Sequence, residues 1–150
     1  MAEFWNVYAI YRAARRLNSR NIPVLPRILT LAIRVTFGCY VPHTAQIGEG
    51  TVIAYGGIGV VIHDRSIIGK NCYIGPGVVV GGTTQYHDVP RLGDNVYIGA
   101  GAKIIGPVRI GNNVIVGANA VVIDDVPDHT VVVGIPARIV KSGVDYKEYA

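Results

Sequence analysis

From Ile47 onward an aliphatic residue returns every six positions, and no other feature of this 150-residue chain narrows its possible fold as much. Aliphatics stand at Ile62, Ile68, Ile74 and Val80, then at Leu92, Ile98, Ile104, Ile110, Val116 and Val122. Glycine commonly follows, as in Ile74-Gly75, Ile98-Gly99, Ile110-Gly111 and Val116-Gly117. A period of six fits neither a helix face nor a simple alternating strand. It fits a parallel β-solenoid, in which short strands are joined by tight turns and three hexapeptides make one coil. Side chains one coil apart then stack. Ile62, Val80, Ile98 and Val116 are expected as one interior column, Ile68, Ile104 and Val122 as a second, and Ile74, Leu92 and Ile110 as a third.

The period breaks twice. Between Ile53 and Ile62 the chain carries extra residues in the glycine-rich Tyr55-Gly56-Gly57-Ile58-Gly59, which predicts a bulge. Between Val80 and Leu92 the count is kept, but residues 81–91 are polar, with Tyr86 where an aliphatic belongs. That segment is expected to leave the solenoid as a loop. Neither glycine-rich stretch is followed by Lys-Ser/Thr or forms GxGxxG between a strand and a helix, so neither reads as a nucleotide fingerprint.

Texture changes near Pro42. Phe4–Leu17 and Val24–Phe37 read as two amphipathic helices, the second entered through Pro23 and Pro26. Both are basic: Arg12, Arg15, Arg16, Arg20, Arg27 and Arg34 face Glu3 alone in the first forty residues. Their arginines are either a solvated cap on the core or a surface for anionic lipid. The expected divisions are therefore a helical segment at 1–41, a β-helix at 42–140 and a tail at 141–150. Half the residues are hydrophobic and 16% are charged, which argues for one compact domain and against disorder. The excess of +4 suits a phosphorylated ligand without calling for nucleic acid. No apolar run has the length of a membrane span and no secretory signal is visible, so the expected location is cytoplasmic, with peripheral membrane contact open.

Three motifs point to a family: Gly81-Gly82-Thr83, Val96-Tyr97-Ile98-Gly99-Ala100-Gly101-Ala102-Lys103-Ile104, and Val133-Gly134-Ile135-Pro136-Ala137-Arg138-Ile139-Val140. Through them residues 47–140 resemble the hexapeptide-repeat acyltransferase superfamily, in its serine acetyltransferase-like branch. The resemblance implies an all-β fold, a left-handed parallel β-helix preceded by a short helical segment. It also implies a homotrimer, and acetyl transfer from acetyl-CoA to a hydroxyl. The serine enzymes carry an Asp-His pair before the bulge and an Arg-His-Pro in the loop that holds the amino-acid carboxylate. Here these align with Ala54-Tyr55 or Tyr55-Gly56 and with Asp88-Val89-Pro90. A short basic N-terminus, the YGGxGVVIH segment and a loop ending in HDVP resemble instead the O-acetyltransferases of capsule, lipopolysaccharide and exopolysaccharide clusters. A sugar hydroxyl is accordingly the expected acceptor, with serine as the alternative and a non-catalytic scaffold as a further one.

Ester formation from a thioester needs a base, an oxyanion donor and a slot for a long thin donor molecule. The histidines are His43, His63, His87 and His129, with no spacing of metal ligands, so no metal is expected. His43 and His129 lie at the ends of the repeat and read as turn residues. His63 follows the inward Ile62, at the place that Gly81, Gly99 and Gly117 take in the expected columns, so it should face outward above bare backbone. Next along that face come Gly82, Ala100 and Ala118, a run of small residues spanning roughly 14 Å at the spacing of neighbouring strands. The resemblance places coenzyme A at the same three residues, and Arg138 and Lys141 are candidates for its phosphates. His63 is the expected base and His87 the alternative, the two facing each other across a subunit interface. Asp64 or Asp88 would orient the imidazole, and Tyr55, Tyr86 and Asp88 are candidate acceptor-binding residues. Cys39 and Cys72 read as reduced packing residues rather than nucleophiles.

Overall fold

A computed structural model describes residues 6–149, leaving Phe4 and Trp5 of the first expected helix outside the described residues. Helix α1 spans Val7–Ser19 and α2 spans Leu25–Phe37. Asn6 caps α1 by accepting a hydrogen bond from the Ala9 amide at 2.7 Å, and Gly38 ends α2 in the left-handed conformation at φ 65°. The two helices then give way to a solenoid of about four coils.

Its three faces are stacks of short parallel rungs. The first holds Gln46–Ile47, Ile67–Ile68, Arg91–Leu92 and Arg109–Ile110. The second begins with Val52–Ile53, Tyr73–Ile74, Tyr97–Ile98 and Ile115–Val116. The third holds Val61–Ile62, Val79–Gly81, Lys103–Ile105 and Val121–Val122. Each rung sends its aliphatic inward, and the residue two places earlier also points in, so Val60, Cys72, Val78, Val96 and Ala102 are buried beside Ile62, Ile74, Val80, Ile98 and Ile104. Glycine follows the aliphatic because the corner there touches the next coil: a Cβ on Gly99 would fall 2.6 Å from the Ala118 nitrogen. At another corner Asn71, Asn95 and Asn113 share positive φ, which asparagine tolerates better than other residues with a Cβ, and His129 takes the same role in the last coil.

The columns differ from the expected ones. Ile62 stacks on Val80 and Val80 on Ile104, not Ile98, and Ile104 then stacks on Val122. Ile98 and Val116 belong with Ile53 and Ile74 on the second face, and Leu92 and Ile110 with Ile47 and Ile68 on the first. The cause is the polar segment after Gly81. It occupies a single corner while consuming a hexapeptide more than a corner needs, so every rung after it lies one face away from where strict counting puts it.

The ends of the stack are closed. Below the third face, Tyr40 donates its amide to the Val60 carbonyl and accepts from the Ile62 amide, forming a bottom rung. Helix α1 docks through Tyr8, whose hydroxyl donates to the Gly48 carbonyl at 2.7 Å, and through buried Tyr11, which donates to Ala45 and accepts from the Ile47 amide at 3.0 Å. The Thr30 hydroxyl of α2 donates to the Pro26 carbonyl and accepts from His43 Nδ1 at 2.9 Å. Burial, helped by the charges of Arg27 and Arg15, holds the His43 imidazole below its ordinary range, so the neutral ring is the structural one. At the other end Thr130–Val133 continues the second face and turns back antiparallel as Arg138–Ser142, after which Val144 packs on Ile115, Val131 and Tyr97.

Among the described residues one buried side-chain polar group lacks a partner: the Ser66 hydroxyl is buried with no hydrogen bond at a position where other rungs carry alanine, valine or cysteine. Ser66→Ala is therefore expected to raise unfolding free energy by about 1 kcal/mol in urea titration, because it removes an unmet desolvation cost.

Candidate functional site

The chain leaves the third face through Ile62 into a tight turn, His63-Asp64-Arg65-Ser66, closed by the Ser66 amide on the His63 carbonyl at 3.0 Å. His63 Nδ1 lies 2.8 Å from Asp64 Oδ1 and 3.2 Å from the Arg65 amide. The Arg65 amide donates to Nδ1 and the Asp64 carboxylate lies against the same atom, so both fix the ring from one edge and Nε2 stands at the other. One coil higher the polar segment departs, and its first residues overhang the imidazole. A Cβ on Gly82 would sit 3.5 Å from His63 Nε2 and 3.1 Å from Val89 Cγ1, so glycine there leaves the ring's reactive edge open.

His87 is brought to this turn within the same chain. Arg65 Nη1 approaches its two ring nitrogens at 2.7 and 2.9 Å. The loop leaves directly above the turn that carries His63 and so places His87 beside the turn of its own chain. Tyr86 and Asp88 sit exposed on the same loop, while Val89 and Pro90 are buried where it rejoins the solenoid.

Other candidates lie elsewhere. Tyr55 is 79% exposed, with φ 52°, in the short turn Ala54–Gly57 that forms the expected bulge. That turn joins the second face to the third, the opposite edge of the third face from His63. Ala100 and Ala118 also lie on that edge, stacked in successive coils and exposed. The expected single run of Gly82, Ala100 and Ala118 is therefore corrected: the loop's extra hexapeptide sets Gly82 on one edge of the third face and the two alanines on the other. In register with His63 stand Gly81, Ile105 and, through Ile104–Val122 pairing, Ile123. Arg138 reaches the top of this edge, with Nη1 3.4 Å from Asp124 Oδ2. Lys141 stands on the closing strand, 3.9 Å from Glu148 and over the Tyr149 ring. Both ion pairs are exposed and contribute little to folding.

Arg65 is the residue that sequence reasoning missed. Its signal was positional: once the loop is removed from the repeat count, the turn beneath the loop becomes its neighbour, and Arg65 is the cation in that turn. Among the described residues no group of three His, Cys, Asp or Glu side chains could hold a metal ion, and no helix is long and apolar enough to cross a membrane.

Comparison with known proteins adds the family context. Residues 90–124 match the family described as bacterial transferase hexapeptide (six repeats), and residues 59–83 match the hexapeptide repeat of succinyl-transferase. The chain is 42% identical to a serine acetyltransferase of Synechococcus elongatus over 137 residues, covering 89% of this chain and 56% of the relative. It is 39% identical to that of Staphylococcus xylosus over 145 residues, covering 94% of this chain and 67% of the relative. A solved serine acetyltransferase in complex with CoA superposes with a TM-score of 0.77 at 34% identity, over 87% of this chain and 54% of the other. The chain thus spans little more than half the length of several relatives. These matches overturn the expected polysaccharide acceptor. That expectation rested on a few acceptor-side positions at the bulge and loop, whereas the likeness to serine acetyltransferases runs through the whole coil framework.

Burial pushes the thiols of Cys39 and Cys72 up to about 11. In the unfolded chain they ionise from about 9.0, so their contribution to stability is complete below that pH and is lost as pH rises toward 11. With Ellman's reagent at pH 8 the folded protein is expected to show no fast-reacting thiol, and both thiols on unfolding; rapid reaction in the folded state would contradict their buried, protonated character.

Proposed function

Because this chain belongs to the hexapeptide-repeat acyltransferase superfamily, with serine acetyltransferases among its relatives, we propose that it transfers an acetyl group from acetyl-CoA to the hydroxyl of L-serine. The observation that carries the reading is the His63 imidazole beside Asp64, 2.8 Å from its Nδ1, with the space at its Nε2 left open by Gly82. Nε2 takes the proton as the serine oxygen attacks the thioester carbonyl. The Gly82 amide, with no acceptor bonded to it among the described residues, donates to the oxyanion. Collapse breaks the carbon–sulfur bond, and the imidazolium returns its proton to the departing CoA thiolate, so no covalent enzyme intermediate forms.

The donor's pantetheine arm runs up the edge from Gly82 past Gly106 toward Arg138, which meets the phosphates together with Lys141. Ala100 and Ala118, on the far edge of the third face, line the same arm from a neighbouring protomer. This requires a homotrimer, in which one protomer's loop edge meets the next one's alanine edge. Thiol release from acetyl-CoA by the purified protein is expected to depend on L-serine. His63→Ala should reduce it at least about 100-fold, the usual worth of general-base catalysis, without lowering Tm. Absence of serine-dependent release would refute the proposed acceptor.

The location reading is carried by α2. Val24, Ile28, Leu31 and Val35 are exposed on its outer side, opposite buried Pro26, Thr30 and Ile33, and Arg27 and Arg34 flank them. Residues 7–37 hold six arginines and no acidic residue, so pairing this face with a second copy would set like charges together. We propose that it rests on an anionic lipid surface. The protein should co-sediment with phosphatidylglycerol vesicles and not with phosphatidylcholine vesicles. The double variant L31S/V35S should bind about tenfold more weakly through lost apolar burial. Equal binding to both lipids, or unchanged binding of the variant, would refute this placement.

A further inference from the structure

Helix α1 docks on the first coil through Tyr8 and Tyr11, and beside that contact a cavity of about 370 Å³ opens between the helix and residues 47–49. Arg12, Arg15 and Arg16 all line it. They stand at i, i+3 and i+4 and so share one stripe of the helix with Tyr8 and Ser19. Like charges at that spacing oppose a helix, and the helix dipole offsets only Arg16, the basic residue of the last turn. What holds the other two is neutral. Arg15 Nη1 donates to the carbonyl of Ala45 at 3.1 Å and to those of His43 and Thr44 at 3.4 Å, and the Arg12 guanidinium lies 5.9 Å from the centroid of the Tyr8 ring. Carbonyls and a ring face fix a guanidinium in place without cancelling its charge. Among the described residues the cavity is lined by one carboxylate, Glu49, and no ion pair joins it to any of the three. Three guanidiniums against one carboxylate leave two positive charges unmatched.

We propose that this cavity binds a small phosphate monoester, at a site separate from that of acyl transfer. A phosphomonoester carries close to two negative charges at neutral pH, which matches the unmatched excess. Guanidinium forks pair with phosphate oxygens two at a time, and Arg15 is already held through Nη1 alone, so its Nε and Nη2 donors have no acceptor among the described residues. At about 30 Å³ for each water of the liquid, the cavity has room for about twelve, well beyond a bare phosphate, so it also admits the alcohol to which the phosphate is esterified. Asn18 and Ser19 bring neutral polar groups to the same lining, suited to that alcohol's hydroxyls. The cavity flanks the corner that leaves the first face, at Gly48 and Glu49, whereas His63 stands at the corner that enters that face. The same chemistry can come from two sources, a soluble phosphorylated alcohol or the monoester headgroup of a membrane lipid.

Calorimetric titration of the full chain with sn-glycerol 3-phosphate, with glycerol as the uncharged control, tests the soluble source. Arg16→Ala is expected to raise Kd about tenfold, the loss of one charge-assisted contact. Arg20→Ala removes the same charge from the C-cap of α1, outside the cavity lining, and should leave Kd within about twofold, well inside one decade of affinity. Arg16→Lys should fall between the unmodified protein and Arg16→Ala. Co-sedimentation with phosphatidylcholine vesicles carrying phosphatidic acid tests the lipid source. Weaker pelleting of Arg16→Ala than of Arg20→Ala, without calorimetric binding of the soluble ester, would assign the cavity to a lipid headgroup; binding of the soluble ester would assign it to a soluble ligand. KM for acetyl-CoA should be unchanged in Arg16→Ala, and a rise would overturn the separation from the acyl-transfer site. Binding of neither probe would overturn the site itself. Equal weakening by Arg16→Ala and Arg20→Ala would overturn it too, because that is the response of diffuse surface charge.

Discussion

Backbone hydrogen bonds between successive coils are the constraint on which everything else in this molecule depends. Each rung donates to the coil beside it, as when the Val61 amide meets the Val78 carbonyl at 2.9 Å and the Gly99 amide meets that of Val116 at 2.8 Å. These bonds hold the coils at the spacing of neighbouring strands, and at that spacing the inward aliphatics touch and the corners admit only certain residues. Glycine after the aliphatic and asparagine at the left-handed corner are consequences of that spacing. So is the need to close both ends, because an open rung presents unpaired amides. Tyr40 and the two helices close one end, and the antiparallel strand Arg138–Ser142 closes the other.

A stack so regular has few places for chemistry, and the candidate site forms where regularity is broken. The segment after Gly81 leaves the coil, so the turn below it, His63-Asp64-Arg65, gains a roof. Gly82 keeps the space above Nε2 open, and the Arg65 amide and Asp64 hold the ring at Nδ1. Rigid rungs on either side hold this turn, which suits a base that must meet a hydroxyl within hydrogen-bonding distance. The other break, at Ala54–Gly57, serves the fold: a Cβ on Gly57 would press on Ile53, Cys39 and Val7, so the bulge is where the helical segment seats itself.

Residue types mark where the repeat is interrupted but not how many faces an interruption consumes. The bulge at Tyr55–Gly59, the departing loop, both helices and the inward cysteines were legible, because each is a local departure in residue type. The columns were not. Assigning Val80 to Ile98 assumed that residues 81–91 kept the period because their number did, yet a loop contributes length without contributing a face. That extra length also separates Gly82 from Ala100 and Ala118 and sets the Arg65 turn beneath the loop. The acceptor was misread for a different reason: a few residues at the bulge and loop outweighed a framework likeness that extends over nearly the whole chain.

By itself the sequence determined the period, and with it a parallel solenoid, since only coils stacked side by side can use an aliphatic at every sixth position. It also determined which residues point inward and which segments interrupt. What the tertiary structure alone decided is which interrupted segments meet. His87, Arg65 and His63 come together because the loop's exit lies one coil above their turn, and Ala100 stands apart from Gly82 because a whole face lies between their corners. Such proximity depends on how many residues each corner absorbs, a quantity set by backbone geometry and hydrogen bonding across coils rather than by any residue type within them.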